Sequence, residues 1–393
     1  MSVRANDAFA ALGLSAEDVD RILSLIYQGP LEAEPWKGFL RDLRTRLDCE
    51  VAAISLRPAR AGTLPLVVWS RRRGHSARRD ARSAAEEHAR LAHLDPLGNT
   101  LSRPGDIYTL DEVIPRSELV RSEFYTRLMQ PYGIEYQLGM YVSEPGGWQC
   151  NVGLMNGPGG RELGAREKSF LIHFRPHLSR ALEIFARIRR NESEKEILEE
   201  TLDRLGIGTI VLDGHGNVVS VNRTAQELVQ RSGALRIADG RITASRPEQA
   251  ALLRELIDRA LAPRRNARAG AFVDVLSIGP VGGPGLGLLI RSAGGDDPYW
   301  SETTPAAIIY LRDPTQLPFA PERFVAQLFG LTPAEAALAT LVAKGAALGE
   351  AAAQLGISEQ TARSYMKRIF SKTGVGRQAE LVLLILKSVA LLG

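Results

Sequence analysis

Leu355-Gly356-Ile357-Ser358 interrupts a helical pattern and restarts it within four residues, and few folds accommodate such a corner. Gly356 supplies the backbone freedom for a sharp turn, Ile357 plugs the angle between two helices, and Ser358 caps the helix that follows. Before the corner, Leu348–Leu355 is rich in small residues (Ala351, Ala352, Ala353), which permits close approach of a neighbour. Further upstream, Thr332 with Glu335 three residues on forms a capping box, and Pro333 suits the first helical position. Ala337, Leu338, Leu341 and Val342 then give that helix a buried stripe. The closing stretch, Gln378–Leu392, is apolar around most of its girth, so something must cover it. These patterns predict an all-α, four-helix domain over 331–393.

The helix opened by Ser358, Glu359–Lys372, has two unlike faces. Ala362, Tyr365, Met366, Ile369 and Phe370 recur at three-four spacing and belong inside. Gln360, Thr361, Arg363, Ser364, Lys367, Arg368, Ser371 and Lys372 are left for the outside. From Ser358 to Arg377 the basic residues are Arg363, Lys367, Arg368, Lys372 and Arg377, against the single acid Glu359. A solvated charged face normally mixes acids in at i,i+4 spacing. Cations alternating with small hydroxyls and an amide fit a nucleic-acid groove instead: Arg and Lys neutralise phosphate, while Gln, Thr and Ser approach base edges. A net charge of +4 over 393 residues does not announce such a partner; its concentration here does.

Leu331-Thr-Pro with Glu335, Ala352, Leu355-Gly-Ile-Ser, Thr361, Ile369, Lys372, Gly374-Val and Ala379-Glu-Leu together resemble the LuxR-type helix-turn-helix. The resemblance covers residues 331–393. It implies a transcription regulator whose helix Ser358–Thr373 enters the major groove, with Thr361, Arg363, Ser364 and Lys367 foremost at DNA. Ala362 stands where Val is usual and Tyr365 where His or a small polar residue is commoner, so base preference is unread. In that family the closing helix joins two modules. The resemblance therefore implies a homodimer contacting through Leu381, Leu384, Ile385 and Val389, reading half-sites about one helical turn apart. The alternative is that this helix only completes its own core. Double-stranded DNA and RNA polymerase are the implied partners.

Ahead of this domain the periodicity is mixed. Two helices are predicted over 18–49, from Ile22, Leu23, Leu25 and Ile26, then Trp36, Phe39, Leu40, Leu43 and Leu47. Glu50–Leu56 and Leu64–Trp69 read as strands, Ser117–Gln130 as a helix, and Ile134–Val142 with Trp148–Met155 as a hairpin around Glu144-Pro-Gly-Gly. This order is similar to GAF domains and to the effector domains of LuxR-type regulators. From Arg166 a long helix follows, with Leu171, Phe174, Leu178, Ala181, Phe185 and Ile188 at alternating steps of three and four. The repeat lapses at Glu192 and Lys195 and returns at Leu198, Leu202 and Leu205. It is a coiled-coil seam or an amphipathic helix packed on its own domain, and Pro176 should kink it. Thr209–Leu212 and Val218–Val221 then flank the turn Asp213-Gly-His-Gly-Asn. Helices follow at Thr224–Gln230 and Gln249–Leu261, and strands at Ala271–Ile278, Gly287–Arg291 and Ala306–Leu311. The segment 206–229 resembles the opening of a PAS domain. The expectation is a multidomain α+β chain: a GAF-like sensor domain with a long connecting helix over 1–190, a PAS-like domain over 191–316, a Pro-rich linker over 317–330, and the helix-turn-helix domain over 331–393. Sequence repeats are absent.

The signal sensed by the front half is less legible. Trp69, Tyr125, Tyr136 and Trp148, with Trp36, Phe124 and Tyr132, are candidates to line a pocket for a small-molecule effector, against core packing as their plainer role. His93-Leu-Asp95-Pro96 contains the Asp-Pro of acyl-homoserine-lactone receptors without the aromatic spacing that should precede it, so that ligand is not carried over. No acid cluster suits a receiver domain. Cys49 and Cys150 show no metal spacing and read as small buried hydrophobes in a reducing compartment. His173 and His177 lack the Glu of a metalloprotease helix, and the glycine-proline run 279–287 lacks the Lys-Ser/Thr of a phosphate loop. Catalysis, metal and cofactor are therefore not expected. The arginines of 71–82 read as a solvated loop. With no secretory signal pattern and no charge-free apolar stretch long enough to span a bilayer, a cytoplasmic chain with no membrane partner is expected. Two other classes remain: a sigma-factor-like promoter-recognition protein, and a sensor or scaffold whose terminal module binds protein.

Overall fold

The computed structural model describes residues 9, 12–58, 65–72, 86, 90, 92–96, 105–265, 271–280, 284–293, 301–316, 321–388 and 390. It divides into two compact units, Met1–Ser193 and Glu194–Gly393.

The first unit is built on an antiparallel sheet of β1 (Val51–Arg57), β2 (Leu66–Arg71), β3 (Ile107–Thr109), β4 (Tyr136–Ser143) and β5 (Gln149–Asn156), in the order β2-β1-β5-β4-β3. The pleat sorts its side chains to two faces. Ile54, Leu56, Val68, Leu138, Met140 and Leu154 point to one side and form a core with helices α1 (Ala16–Gln28), α2 (Lys37–Arg46) and α3 (Ala165–Arg204). On the other side a second cluster of Leu110, Leu119, Phe124, Leu128, Met129 and Tyr132 covers the sheet. The covering segment is not the single helix expected over Ser117–Gln130. It breaks into a turn of α-helix at Arg116–Leu119, a π turn at Tyr125–Met129 and a 3-10 turn at Gln130–Tyr132. Ser122 is the reason: its hydroxyl donates to the Leu119 carbonyl and accepts the Tyr125 N–H, closing the chain locally in place of helical bonds. The edge strand β3 was not anticipated.

Helix α3 runs for 40 residues, with Pro176 inside it. Phe170, Leu171, Phe174, Leu178, Ala181, Leu182 and Phe185 are all buried in the core of the first unit. That part of the apolar repeat packs on its own domain, and a coiled-coil seam is not available there. From Arg189 to Leu198 the helix is exposed.

In the second unit β6 (Gly208–Asp213) and β7 (Val218–Val221) precede helix α4 (Arg223–Ser232), a small hairpin of β8 (Leu235–Ala238) and β9 (Arg241–Ala244), and helix α5 (Pro247–Arg265). Strands β10 (Val273–Ile278), β11 (Leu286–Ser292) and β12 (Pro305–Arg312) complete a sheet in the order β10-β11-β12-β6-β7. Setting the small hairpin aside and numbering the strands within the unit, this is the strand order of the first sheet again, a topological repeat that no sequence repeat announces. Buried Asn222 fixes the start: its side chain accepts the N–H groups of Thr209 and Ala225 and donates to the Ile207 carbonyl. The β8–β9 hairpin was not anticipated either, although Asp239 and Gly240 at its tip take φ of 50° and 71°, as a two-residue primed turn requires.

Five helices end the described chain: α6 (Glu322–Phe329), α7 (Pro333–Ala343), α8 (Leu348–Gln354), α9 (Glu359–Thr373) and α10 (Gln378–Leu386). The four expected over 331–393 are α7 to α10. Helix α6 corrects the linker reading of 317–330: Val325 is fully buried in the same core, and Gly330 at φ 63° ends the helix. Residues 317–320 lie outside the described residues, as do Arg73, Arg78, Arg79 and Arg82 of the arginine run. Arg72 of that run pairs with Asp48, and Arg71 lies over the Trp69 ring. Among the described residues no single helix is long and apolar enough to cross a membrane.

Candidate nucleic-acid interface

The helical corner is built as its residues dictate. Ala351 and Ala352 of α8 are buried, Gly356 takes φ 65°, and the Ser358 hydroxyl accepts the Thr361 N–H at 3.1 Å to cap α9. At the other end Gly374, at φ 73°, closes the helix by donating its N–H to the Phe370 carbonyl. Ala362, Met366 and Ile369 are buried, and Tyr365 and Phe370 pack beside them in the module's core, where α9 meets α7 and α8. With that face anchored, the 3.6-residue period leaves Gln360, Arg363, Ser364, Lys367 and Ser371 in one row on the outside, all exposed. Arg368 flanks the row and sits over the Tyr365 ring.

Several of these groups are already engaged within the module. Arg363 bonds Glu359 one turn back at 2.7 Å, an exposed pair worth little in water. Ser364 donates to the Gln360 carbonyl, and half-buried Thr361 touches the Ser358 hydroxyl at 2.8 Å. Lys372 lies to the side of the row. Its ammonium is 2.6 Å from Glu335, a carboxylate only 2% exposed that also accepts the Thr332 N–H. Burial works to raise the Glu335 carboxyl, but the Lys372 ammonium and the Thr332 donors outweigh it and hold the group below the usual carboxylate range. Lys372 thus ties α9 to the start of α7.

This pair has a pH signature. The folded-state value lies below the ordinary 4.5, so its stabilisation is complete above about pH 4.5 and lost as acidification passes the folded value. In calorimetry of Glu335→Gln, the fall in Tm from about pH 5 down to about pH 3 is expected to be shallower than in the parent chain. Equal slopes would mean that the pair contributes nothing to stability.

The dimer residues expected on α10 need correction. Leu381 and Ile385 are 0% and 1% exposed and lie in the module's own core beside Val325, Leu338 and Ala339. Helix α10 ends at Leu386 and turns these side chains onto α7, which leaves them unavailable to a partner. Leu384 is half-buried and Leu383 is 52% exposed. Val389 lies outside the described residues.

Of the aromatic candidates, Trp69 lies on β2 and Tyr136 on β4, and the others lie outside the strands. A cavity of about 150 Å³ in the first unit lies between the sheet and its covering segment. Ala53, Ser55, Val67, Trp69, Gln137, Gly139, Asn151 and Gly153 supply its floor, and Phe124, Leu128, Met129, Tyr132 and Ile134 its cover. Pairing sets Ala53 opposite both Trp69 and Gly153, and Gly153 opposite Gly139, so the floor is one continuous row. Buried Asp95 is the charged residue on the wall. Of the seven aromatic residues proposed for a pocket, Trp69, Phe124 and Tyr132 line it. Trp148 falls on the helix side, its ring 5.3 Å from Phe185. Tyr136 lies beneath the Arg116 guanidinium, and Tyr125 donates to Glu135 at 2.6 Å. Trp36 is core, donating to the Ile26 carbonyl.

Cys49 and Cys150 are buried and unbridged; burial pushes their thiols up to about 11 and about 12. His177 meets the Tyr27 hydroxyl and His173 the Ser169 carbonyl. Among the described residues no group of three metal-ligating side chains comes together.

Residues 330–385 match a family described as bacterial regulatory proteins, luxR family. No curated protein matches the chain. Similar solved structures include the LBD domain of VqsR from Pseudomonas aeruginosa, at 15% identity, with 44% of this chain and 95% of that one covered and a TM-score of 0.32. CepR2 from Burkholderia cenocepacia, an N-acylhomoserine lactone dependent LuxR family factor, is 15% identical over 44% of this chain and 96% of its own, with a TM-score of 0.30. SdiA from Escherichia coli is 11% identical over 94% and 96%, also with a TM-score of 0.30.

Proposed function

From the premise that residues 330–385 are a LuxR-family regulatory domain, we propose that the chain is a sequence-specific DNA-binding transcription regulator, acting as a homodimer under the control of a small-molecule effector. The observation that carries the DNA reading is the row Gln360, Arg363, Ser364, Lys367 and Ser371, exposed on a helix whose opposite face is locked into the module. A helix about 10–12 Å across fits the major groove. Its cations meet phosphates and its amide and hydroxyls meet base edges. The domains are read as a sensor ending in helix α3, a PAS-like domain, and the helix-turn-helix module from α6 onward. RNA polymerase is the further partner this role implies, the cytoplasm its place, and no catalysis belongs to it.

The effector reading is supported by the cavity of the first unit. Its lining is mainly apolar, with Ser55, Gln137, Asn151 and Asp95 as the polar groups. Such a site suits a small, largely apolar molecule that carries a polar group able to hydrogen-bond to this lining.

The DNA reading is tested by affinity for genomic fragments recovered by footprinting, measured at rising salt. A log–log slope of about −0.9 per neutralised phosphate is expected. Affinity independent of salt would leave the module as a protein-binding element.

A further inference from the structure

The outer face of the β10–β11–β12 sheet exposes apolar side chains. Pairing sets Val275, Leu289 and Tyr310 in one row and Val273, Arg291 and Ile308 in the next. Val273 and Val275 are 64% and 68% exposed, whereas the alternating Leu286, Leu288, Ile290, Ile309 and Leu311 are buried in the unit's core. Ile207 borders the resulting groove, and Arg291 and Arg312 make it cationic. Contiguous exposed apolar surface of this kind marks an interaction site.

The same unit exposes a second apolar element, the last turns of α3. Glu194, Ile197, Leu198 and Thr201 share one helical face, and Ile197 and Leu198 are 63% and 66% exposed. Between residues 192 and 200 the acids Glu192, Glu194, Glu196, Glu199 and Glu200 outnumber the single base Lys195; Glu192, Glu199 and Glu200 pair along the helix with Arg189, Lys195 and Arg204. This helix segment is therefore apolar and acidic where the sheet face is apolar and basic.

We propose that in the dimer the 192–201 segment of α3 from one copy lies across the outer face of the β10–β11–β12 sheet of the other, reciprocally about a two-fold axis. The proposal rests on the homodimer reading above and supplies its surface. A two-fold interface is self-complementary: the acidic helix of each copy meets the arginines of its partner, and both apolar patches leave water together. Pairing α3 with the same segment of a second α3 sets those acids against their own copies, and like charges at such positions oppose association.

The test uses two differently tagged populations of the full chain, one carrying Leu198→Cys and the other Val275→Cys, mixed and treated with a short bis-maleimide. Cys49 and Cys150 are buried, and the unsubstituted chain measures their background. A cross-linked species bearing both tags is expected. Cross-linking between two Leu198→Cys chains instead would overturn the proposal in favour of helix-to-helix pairing. Cross-linking only within single chains of the Leu198→Cys, Val275→Cys double variant would overturn it in favour of docking within one copy. In sedimentation, Arg291→Glu with Arg312→Glu is expected to weaken dimerisation on the order of 10- to 100-fold, and Glu194→Lys to restore part of it. A dimer indifferent to the charge reversal refutes this surface and leaves the dimer standing. A chain monomeric at every concentration refutes both.

Discussion

Lys367→Ala and Arg363→Ala are each expected to weaken operator binding on the order of 10- to 100-fold, about 1–3 kcal/mol, with folding unchanged. Both side chains stand in the outward row of α9, and neither contributes to the core of Ala362, Met366 and Ile369 that holds the helix. The partner that Arg363 has, Glu359 at 2.7 Å, is exposed, and losing that pair costs only about 0.3–0.5 kcal/mol. The two variants should differ in kind. If Lys367 meets a phosphate, its removal lowers affinity for all sequences alike and reduces the salt slope by about one. If Arg363 reads a base edge, its removal lowers discrimination between operator and competitor while the slope barely moves. Fluorescence anisotropy against both DNAs at several salt concentrations separates the cases, with circular dichroism as the folding control. Unchanged affinity in both variants would remove α9 from the groove.

Ala53→Phe is expected to abolish effector-dependent regulation while DNA binding stays within about twofold of the parent, since distant, independent sites act additively. Ala53 sits at the centre of the cavity floor, opposite Trp69 on one strand and Gly153 on another. A benzyl group there occupies the space an effector needs and leaves the helix-facing core alone. Mass spectrometry of small molecules released from the denatured chain, parent against variant, is the direct measurement; a reporter under the regulated promoter is the functional one. A variant that releases the same ligand and responds as the parent does would show that the signal enters elsewhere.

The module was legible in the sequence because its signals are local. Thr332 with Glu335, Gly356, Ser358 and Gly374 each act within a few residues of their own position, and periodicity separates buried Ala362, Met366 and Ile369 from exposed Gln360, Arg363, Ser364 and Lys367, although Thr361 is half-buried. Helix α6 is weakly marked in the sequence because it is only eight residues long and follows a proline-rich stretch. Pro321 before Glu322 and Gly330 after Phe329 were the available marks of its ends. The β8–β9 hairpin likewise had its sign in Asp239-Gly240. The cavity was harder to read for a different reason. Which aromatic side chains face it depends on strand register, a long-range property: a shift of one residue exchanges the two faces of a strand. Trp69 and Trp148 look alike in the sequence, yet Trp69, paired with Ala53, lies on the cavity floor, whereas Trp148, just before β5, packs against Phe185. For Leu381 and Ile385, apolarity showed that α10 must be covered but not by what; α7 supplied the cover from within.

The tie between Lys372 and Glu335, together with stops at both ends of α9, bears on how such a regulator is switched. A recognition element finished before it meets its target loses little entropy in docking. The same completeness leaves no disordered state of that element for a signal to exploit. On the homodimer reading proposed above, control comes from how many copies are presented to the duplex and how far apart they stand, which alters the local concentration of the second arm once the first has landed. An inducer of this chain should therefore change the steepness of operator occupancy with protein concentration more than the affinity of one half-site.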